Sequence, residues 1–304
     1  MTAPATPPRP FDPRRDTPPV DLLSGVLSAL KPAFRLDELA ALSRERALYY
    51  AWDRTLKRHV ALRVHLIPNS PGRAWFLRES ETLAALNHPA IRHVYAAGEV
   101  QDFAYRTQNW VDGESLGAAV QRGPRPLPTA LSLLRDLLGA LEHAHARGII
   151  MRRIVPSTLM IEASGRGVVT DLRYSNWCVA HVPADDLAVG LPFMAPEARG
   201  GATGDPAADV YAVAAVIYYA LTGREPAEDP DAIVAPRELR SAVPAQVERV
   251  LLRALRATPD ARYSTATEML EDFVGFAGLF QPPAAAPGVA EAGFEQRLRR
   301  ALGD

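Results

Sequence analysis

The stretch YAVAAVIYYAL, residues 211–221, is the longest apolar run in the chain, and its reading decides what kind of protein this is. A bilayer-spanning helix takes about 20 apolar residues, so this run is too short to cross a membrane. It reads instead as a helix buried in a globular core. Outward from it, residues 127–147, 208–222, 244–257 and 264–277 carry apolar side chains at three- and four-residue steps, the helical period. From Gly113 onward the chain is therefore expected to be mainly helical.

Upstream the period changes. Residues 34 to 66 turn β-like: ALYYAWD (47–53) and HVALRVHLI (59–67) read as strands joined by the polar turn RTLKR (54–58). PGRAWFLRESETLAALNH (71–88) is helical, with Phe76, Leu83 and Leu86 on or near one face. RHVYAAGEV (92–100) and FAYRTQNWV (103–111) are two further strand candidates. A strand-rich first third followed by a helix-rich remainder predicts an α+β protein with two lobes.

The two ends read differently. Residues 1–19 are rich in Pro and Arg and are expected to be a disordered tail. Over 20–33, Leu22, Leu23, Val26, Leu27 and Leu30 fall at helical spacing before Pro32, which predicts a short amphipathic helix that docks on its own domain or on a partner. At the far end, QPPAAAPG (281–288) reads as a linker within 278–304, followed by a last amphipathic helix that aligns Phe294, Leu298 and Leu302.

Composition narrows the function classes. A net charge of −1 gives no general attraction for nucleic acid, and none is expected as a partner. Basic charge is almost all arginine, with Lys31 and Lys57 the only lysines. Cys178 is alone, so neither an intrachain disulfide nor a thiolate cluster can form. No apolar leader is visible at the N-terminus, and a soluble, cytoplasmic protein is expected.

Seven segments then fall into a recognisable order: VALRV (60–64), FLRESETLAALNHPAI (76–91), IIMRRIVPSTLMI (149–161), VVTDLR (168–173), MAPEARGG (194–201), DPAADVYAVAAVIYYALTGREP (205–226) and PDARYSTATEML (259–270). Taken together, over roughly residues 34 to 277, the chain resembles the bacterial Hanks-type Ser/Thr protein kinases, as a degenerate member. The resemblance implies a protein-kinase-like fold with a β-rich N-lobe over 34–112, carrying the αC helix, and a larger helical C-lobe over 113–277. It makes Gln108, Asn109, Trp110 and Val111 the hinge. It assigns structural anchoring to Glu197 and Arg262 as an ion pair, and to Asp209 beneath the catalytic-loop backbone. Glu79 takes the place of the αC glutamate. Leu83, Met151 and Leu172 fill apolar-spine positions.

The same resemblance finds the chemical positions altered. Phosphoryl transfer needs a glycine-rich lid, a phosphate-binding lysine, metal ligands and an aspartate base. Here the lid glycines become Ala41, Ser43 and Arg46, the lysine becomes Arg63, and the aspartate base becomes Arg153. The loop lysine becomes Val155 and the metal-binding asparagine becomes Thr158, while Asp171 is retained. Arginine at 153 inverts the charge where a hydroxyl proton must be accepted. A general base is worth about 10²–10⁴ in rate, so the expectation is a pseudokinase with no intact catalytic residue. It would serve as a regulatory or scaffolding module for a protein partner, a true kinase or an effector.

Two alternatives stand beside it: a residual kinase or other nucleotide-dependent transferase, and a nucleotide or anion sensor. No cofactor or metal is expected; ATP with magnesium on Asp171 is the alternative. Asp171 is expected to pair with Arg63 or Arg153, and Arg63 to pair with Glu79. An anion held among Arg46, Arg63, Arg152, Arg153 and Arg173 is the competing arrangement.

Overall fold

The computed structural model describes residues 20–42, 46–66, 71–100, 103–152, 154–171, 190–200 and 205–277. The readings made for 1–19, Ser43, Arg153, Leu172, Arg173, Cys178 and 278–304 lie outside the described residues. The chain divides into two compact units, the first holding residues up to 81 and 94–110, the second 82–93 and most of the chain from 111 on. One is strand-rich and the other helix-rich, the α+β division that the change of period in the sequence predicts.

The first unit contains α1 (Val20–Leu30), β1 (Phe34–Leu42), β2 (Arg46–Asp53), β3 (Arg58–His65), most of α2 (Pro71–Ala84), β4 (Val94–Val100) and β5 (Phe103–Gln108). The strands form one antiparallel sheet in the order β1-β2-β3-β5-β4. Alternate side chains point to opposite faces, and this sequence uses the alternation fully. Ala47, Tyr49 and Ala51 of β2, Val60, Leu62 and Val64 of β3, and Phe103 of β5 join Phe34 in one buried apolar cluster. Val26, Ala29 and Leu30 of α1 belong to that same cluster, so the N-terminal helix docks on its own sheet. Burying a side chain such as Val26 or Leu30 there is worth about 1.5–3 kcal/mol, which is why a short helix stays in place. Between β2 and β3 the Asp53 carboxylate accepts from the Thr55 and Leu56 amides, both at 2.9 Å, and Lys57 takes a left-handed φ of 52°.

The second unit is mainly helical, as the sequence predicts beyond Gly113, and it also carries a small sheet of short strands. It contains β6 (Gly113–Ser115), α3 (Leu116–Gln121), α4 (Leu127–His145), β7 (Leu159–Glu162), β8 (Gly167–Val169), α5 (Pro206–Thr222), α6 (Pro236–Leu239), α7 (Ala245–Ala254) and α8 (Ala266–Ala277). β6, β7 and β8 form a three-stranded antiparallel sheet. Gly113 permits it, because a Cβ there would lie 2.1 Å from the Ile161 carbonyl oxygen.

α5 carries the long apolar run at 211–221. Asp205 caps it, accepting from the Ala208 amide at 2.8 Å, Pro206 fills the first turn, and Gly223 ends it at φ 73°. Nearly every residue of the helix is buried, as an all-round apolar helix requires. α4, α6, α7 and α8 all pack against it.

Candidate functional site

The sequence-predicted residues fall into two centres, one in each unit. The second unit holds the loop at 149–158. Its anchor is Asp209, a fully buried carboxylate in the first turn of α5. That carboxylate accepts from the Met151 amide at 2.8 Å and the Arg152 amide at 2.6 Å, and bonds His145 Nε2 at 2.8 Å. Arg152 has φ 59°, a left-handed conformation that a long side chain rarely adopts. Backbone in such a state persists only where its surroundings enforce it. Two charge-assisted hydrogen bonds on consecutive amides do so here. The turn at Met151 and Arg152 is thus shaped through its main chain.

Beyond the anchored turn, Ile154 and Val155 are buried. The Thr158 hydroxyl donates to the Val155 carbonyl at 3.1 Å, closing the loop on itself. The Thr158 carbonyl accepts from both the amide and the hydroxyl of Thr170, at 2.9 and 3.0 Å. This sets the buried Asp171 at the end of the segment that follows β8. Elsewhere in the unit, Arg262 donates to both carboxylate oxygens of Glu197, at 2.6 and 2.9 Å, and to the Arg256 and Ala257 carbonyls. A turn at 87–91 is held by imidazoles: His143 Nε2 accepts from the Asn87 amide and His88 Nδ1 from the Ala90 amide, each at 3.2 Å. Burial holds both rings below the ordinary histidine range. Neutral rings are what acceptance from an amide requires.

The first unit holds the other centre, on the sheet face opposite α1. There Arg46, Leu48, Tyr50 and Trp52 of β2 alternate with the apolar set, as do Ala61, Arg63 and His65 of β3 and Ala104, Arg106 and Gln108 of β5. Glu79 of α2 is 1% exposed and Arg106 is 0% exposed. Arg106 Nη1 donates to Glu79 Oε1 at 2.9 Å, and Arg46 Nη1 approaches Glu79 Oε2 at 3.4 Å. Arg106 also reaches Ser80 Oγ at 3.5 Å through Nη1 and Gln108 Oε1 at 3.2 Å through Nε. The ring of Phe76 lies 5.1 Å from the Arg106 guanidinium and 5.4 Å from that of Arg46. His65 is buried in the same place. Desolvation, with Arg46 and Arg73 nearby, pushes its imidazole down to about 4.

The sequence predicts Arg63 as a partner of Glu79; Arg106, which no motif marks, donates to it. The signal was there: in FAYRTQ, Arg106 shares its register with Ala104 and Gln108 and so faces inward. Arg63 is the cross-strand neighbour of Arg106. It lines a cavity of about 70 Å³ with Ala41, Leu42, Arg46, Ala47 and Leu48. Along the hinge positions, Gln108 and Val111 are buried while Asn109 and Trp110 are half-buried. The Trp110 ring meets Tyr50 edge-on at 4.8 Å, and Tyr50 stacks on His59 at 4.5 Å.

Among the described residues no cluster of His, Cys, Asp and Glu is placed to hold a metal ion, and no helix is long and apolar enough to cross a membrane.

Known proteins share this pattern. The family model described as protein kinase domain matches residues 48–274. The serine/threonine-protein kinase PknB of Mycobacterium leprae is 30% identical over 288 residues, covering 86% of this chain and 46% of that protein. PknB of Mycobacterium tuberculosis is 30% identical over 308 residues, covering 91% of this chain and 48% of that protein. The chain thus spans about half the length of these curated relatives. Among solved structures, a variant of the Mycobacterium tuberculosis PknI kinase domain superposes with a TM-score of 0.64 at 25% identity, covering 81% of this chain and 96% of that one.

Proposed function

The chain belongs to the protein kinase domain family, and on that premise we propose that it is a pseudokinase, a regulatory or scaffolding module rather than a phosphotransferase. One observation carries the reading. The loop whose Met151 and Arg152 amides are anchored by Asp209 has the sequence MRRIVPST over residues 151–158, which contains no acid, lysine or asparagine. The backbone is anchored, and none of these residue types can accept a proton from a substrate hydroxyl.

The donor set does not fit nucleotide with two magnesium ions. At the position of the second metal ligand, the Thr158 hydroxyl is directed onto the Val155 carbonyl, and a hydroxyl is a poorer ligand for a hard cation than a carboxylate or amide oxygen. Three lid positions carry side chains, and a Cβ at each restricts how closely backbone approaches a phosphate. No phosphoryl-transfer step is therefore assigned to these residues. In this reading the protein is cytoplasmic and acts by presenting surfaces to a protein partner, a true kinase or an effector, with no role for nucleic acid.

The test is transfer of phosphate from Mg-ATP to itself and to a generic protein substrate. No incorporation above that of an Asp171→Ala variant is expected. Incorporation that vanishes in that variant would overturn the proposal.

The retained, buried Asp171 favours a second reading, a nucleotide or anion sensor without transfer. A thermal-shift series with nucleotides, Mg²⁺ and Mn²⁺ separates the two. Stabilisation of about 2.7 kcal/mol at 100 times Kd is expected of a sensor, and none of a module that binds no nucleotide.

A further inference from the structure

We propose that Arg106, assisted by Arg46, is a built-in latch that holds α2 on the sheet through Glu79, so that the helix keeps its place whatever Arg63 contacts. The inference rests on the first unit alone and does not depend on whether the protein transfers phosphate.

Burial makes the pair obligatory. The side chains of Glu79 and Arg106 are both fully removed from solvent, and a buried charge persists only where it is paired and hydrogen-bonded. The geometry of the guanidinium makes the pair specific. Arg106 reaches two consecutive residues of α2, Glu79 at 2.9 Å and Ser80 at 3.5 Å, which sets the rotation of the helix as well as its height. Gln108, two residues along the same strand, accepts from Nε at 3.2 Å and orients the fork. Phe76 lies one turn before Ser80 on α2 and meets both guanidinium groups. The Ser80 hydroxyl in turn donates to the Phe76 carbonyl at 2.7 Å. Arg46 reaches the second carboxylate oxygen of Glu79 from β2, so the helix is tied to β2 and β5, the two strands that flank β3.

The consequence is conformational. A cation supplied by the core does not leave with a ligand. α2 therefore presents its exposed stripe, Ala74, Arg78 and Glu81, in one fixed position.

The test uses the full chain with Arg106→Met, Arg63→Met and the double variant Arg106→Met/Glu79→Met. Thermal unfolding and hydrogen exchange of peptides from residues 71–84 are the readouts. Arg106→Met is expected to lower Tm by about 10 °C, because it leaves the buried Glu79 carboxylate with the longer contact to Arg46 in place of a close, fully buried partner. It should also speed α2 exchange about 100-fold or more. Arg63→Met is expected to leave α2 exchange as in the parent. The double variant is expected to regain at least half of the lost Tm, since no buried charge is left alone.

Equal loss of α2 protection in Arg63→Met and Arg106→Met would overturn the proposal, and so would a double variant no more stable than Arg106→Met. If Arg106→Met yields no folded protein, recovery in the double variant supports the latch. Failure of both, with Arg63→Met folded, refutes it.

Discussion

Glu197 and Glu79 are each clasped by arginine, and the two clasps were not equally visible from the sequence. Glu197 and Arg262 are 65 residues apart, yet each sits inside a recognisable motif, and the pairing could be named in advance. Glu79 and Arg106 are only 27 residues apart, but Arg106 sits in a strand that no motif marks. Sequence distance did not decide legibility. What decided it was whether both partners were written in a pattern or one of them only in a strand's register. The environments differ as well. The Glu197 side chain keeps 29% of its exposure, whereas that of Glu79 has none. Water can partly replace Arg262 in solvating Glu197, and it has no access to Glu79.

That contrast can be broken by measurement. The largest effect is expected where a buried carboxylate supports several groups at once. Asp209→Ala leaves the buried Met151 amide and the half-buried Arg152 amide without their acceptor and should cost about 3–5 kcal/mol in urea unfolding. Asp209→Asn, which keeps one acceptor oxygen, should recover part of that. Glu79→Ala removes the carboxylate shared by the Arg106 and Arg46 guanidinium groups and should likewise cost about 3–5 kcal/mol, against about 1.5–3 kcal/mol for Glu197→Ala, which leaves the equally buried Arg262 guanidinium on the Arg256 and Ala257 carbonyls. Equal losses for the two glutamates, or a reversed order, would erase the distinction between the clasps.

A pH profile sharpens it further. The folded state holds His65 at about 4, below its ordinary 6.5, because burial and the nearby guanidinium groups of Arg46 and Arg73 disfavour its charged form. The unfolded chain then binds the extra proton first. The stability contributed by neutral His65 is complete above pH 6.5 and declines as pH falls from there towards 4. The slope should be about 1.4 kcal/mol per pH unit. Urea midpoints across that window should fall less steeply in His65→Leu. The smallest expected change is Thr158→Val, which removes one hydroxyl bond to the Val155 carbonyl and should cost about 1 kcal/mol by the same measurement.

How much was legible followed the length over which a pattern repeats. α5 declared itself through an apolar run with no polar face, and α4 through 19 residues at helical steps. β2 and β3 alternate over eight residues each, long enough to separate two faces. β6 and β8 have only three residues each and β7 four, too short to display a period of two. The small sheet they form was therefore passed over, and with it the reason for glycine at 113. In the first unit, the same alternation that placed the apolar cluster also placed Arg106 inward. An arginine is seldom assigned to the interior on composition, so its inward register went unread.

Sequence alone determined the α+β division, the kinase-like order of segments and the residue types of the 149–161 loop. All three depend on residue identity and short-range periodicity. Tertiary structure decided which charges meet. It put α1 on its own sheet, drew His145 and the Met151 and Arg152 amides onto Asp209, and assigned Arg106 and Arg46 to Glu79. A buried charge takes the partner that packing brings within about 3 Å, and that separation is a property of the folded chain rather than of any stretch along it.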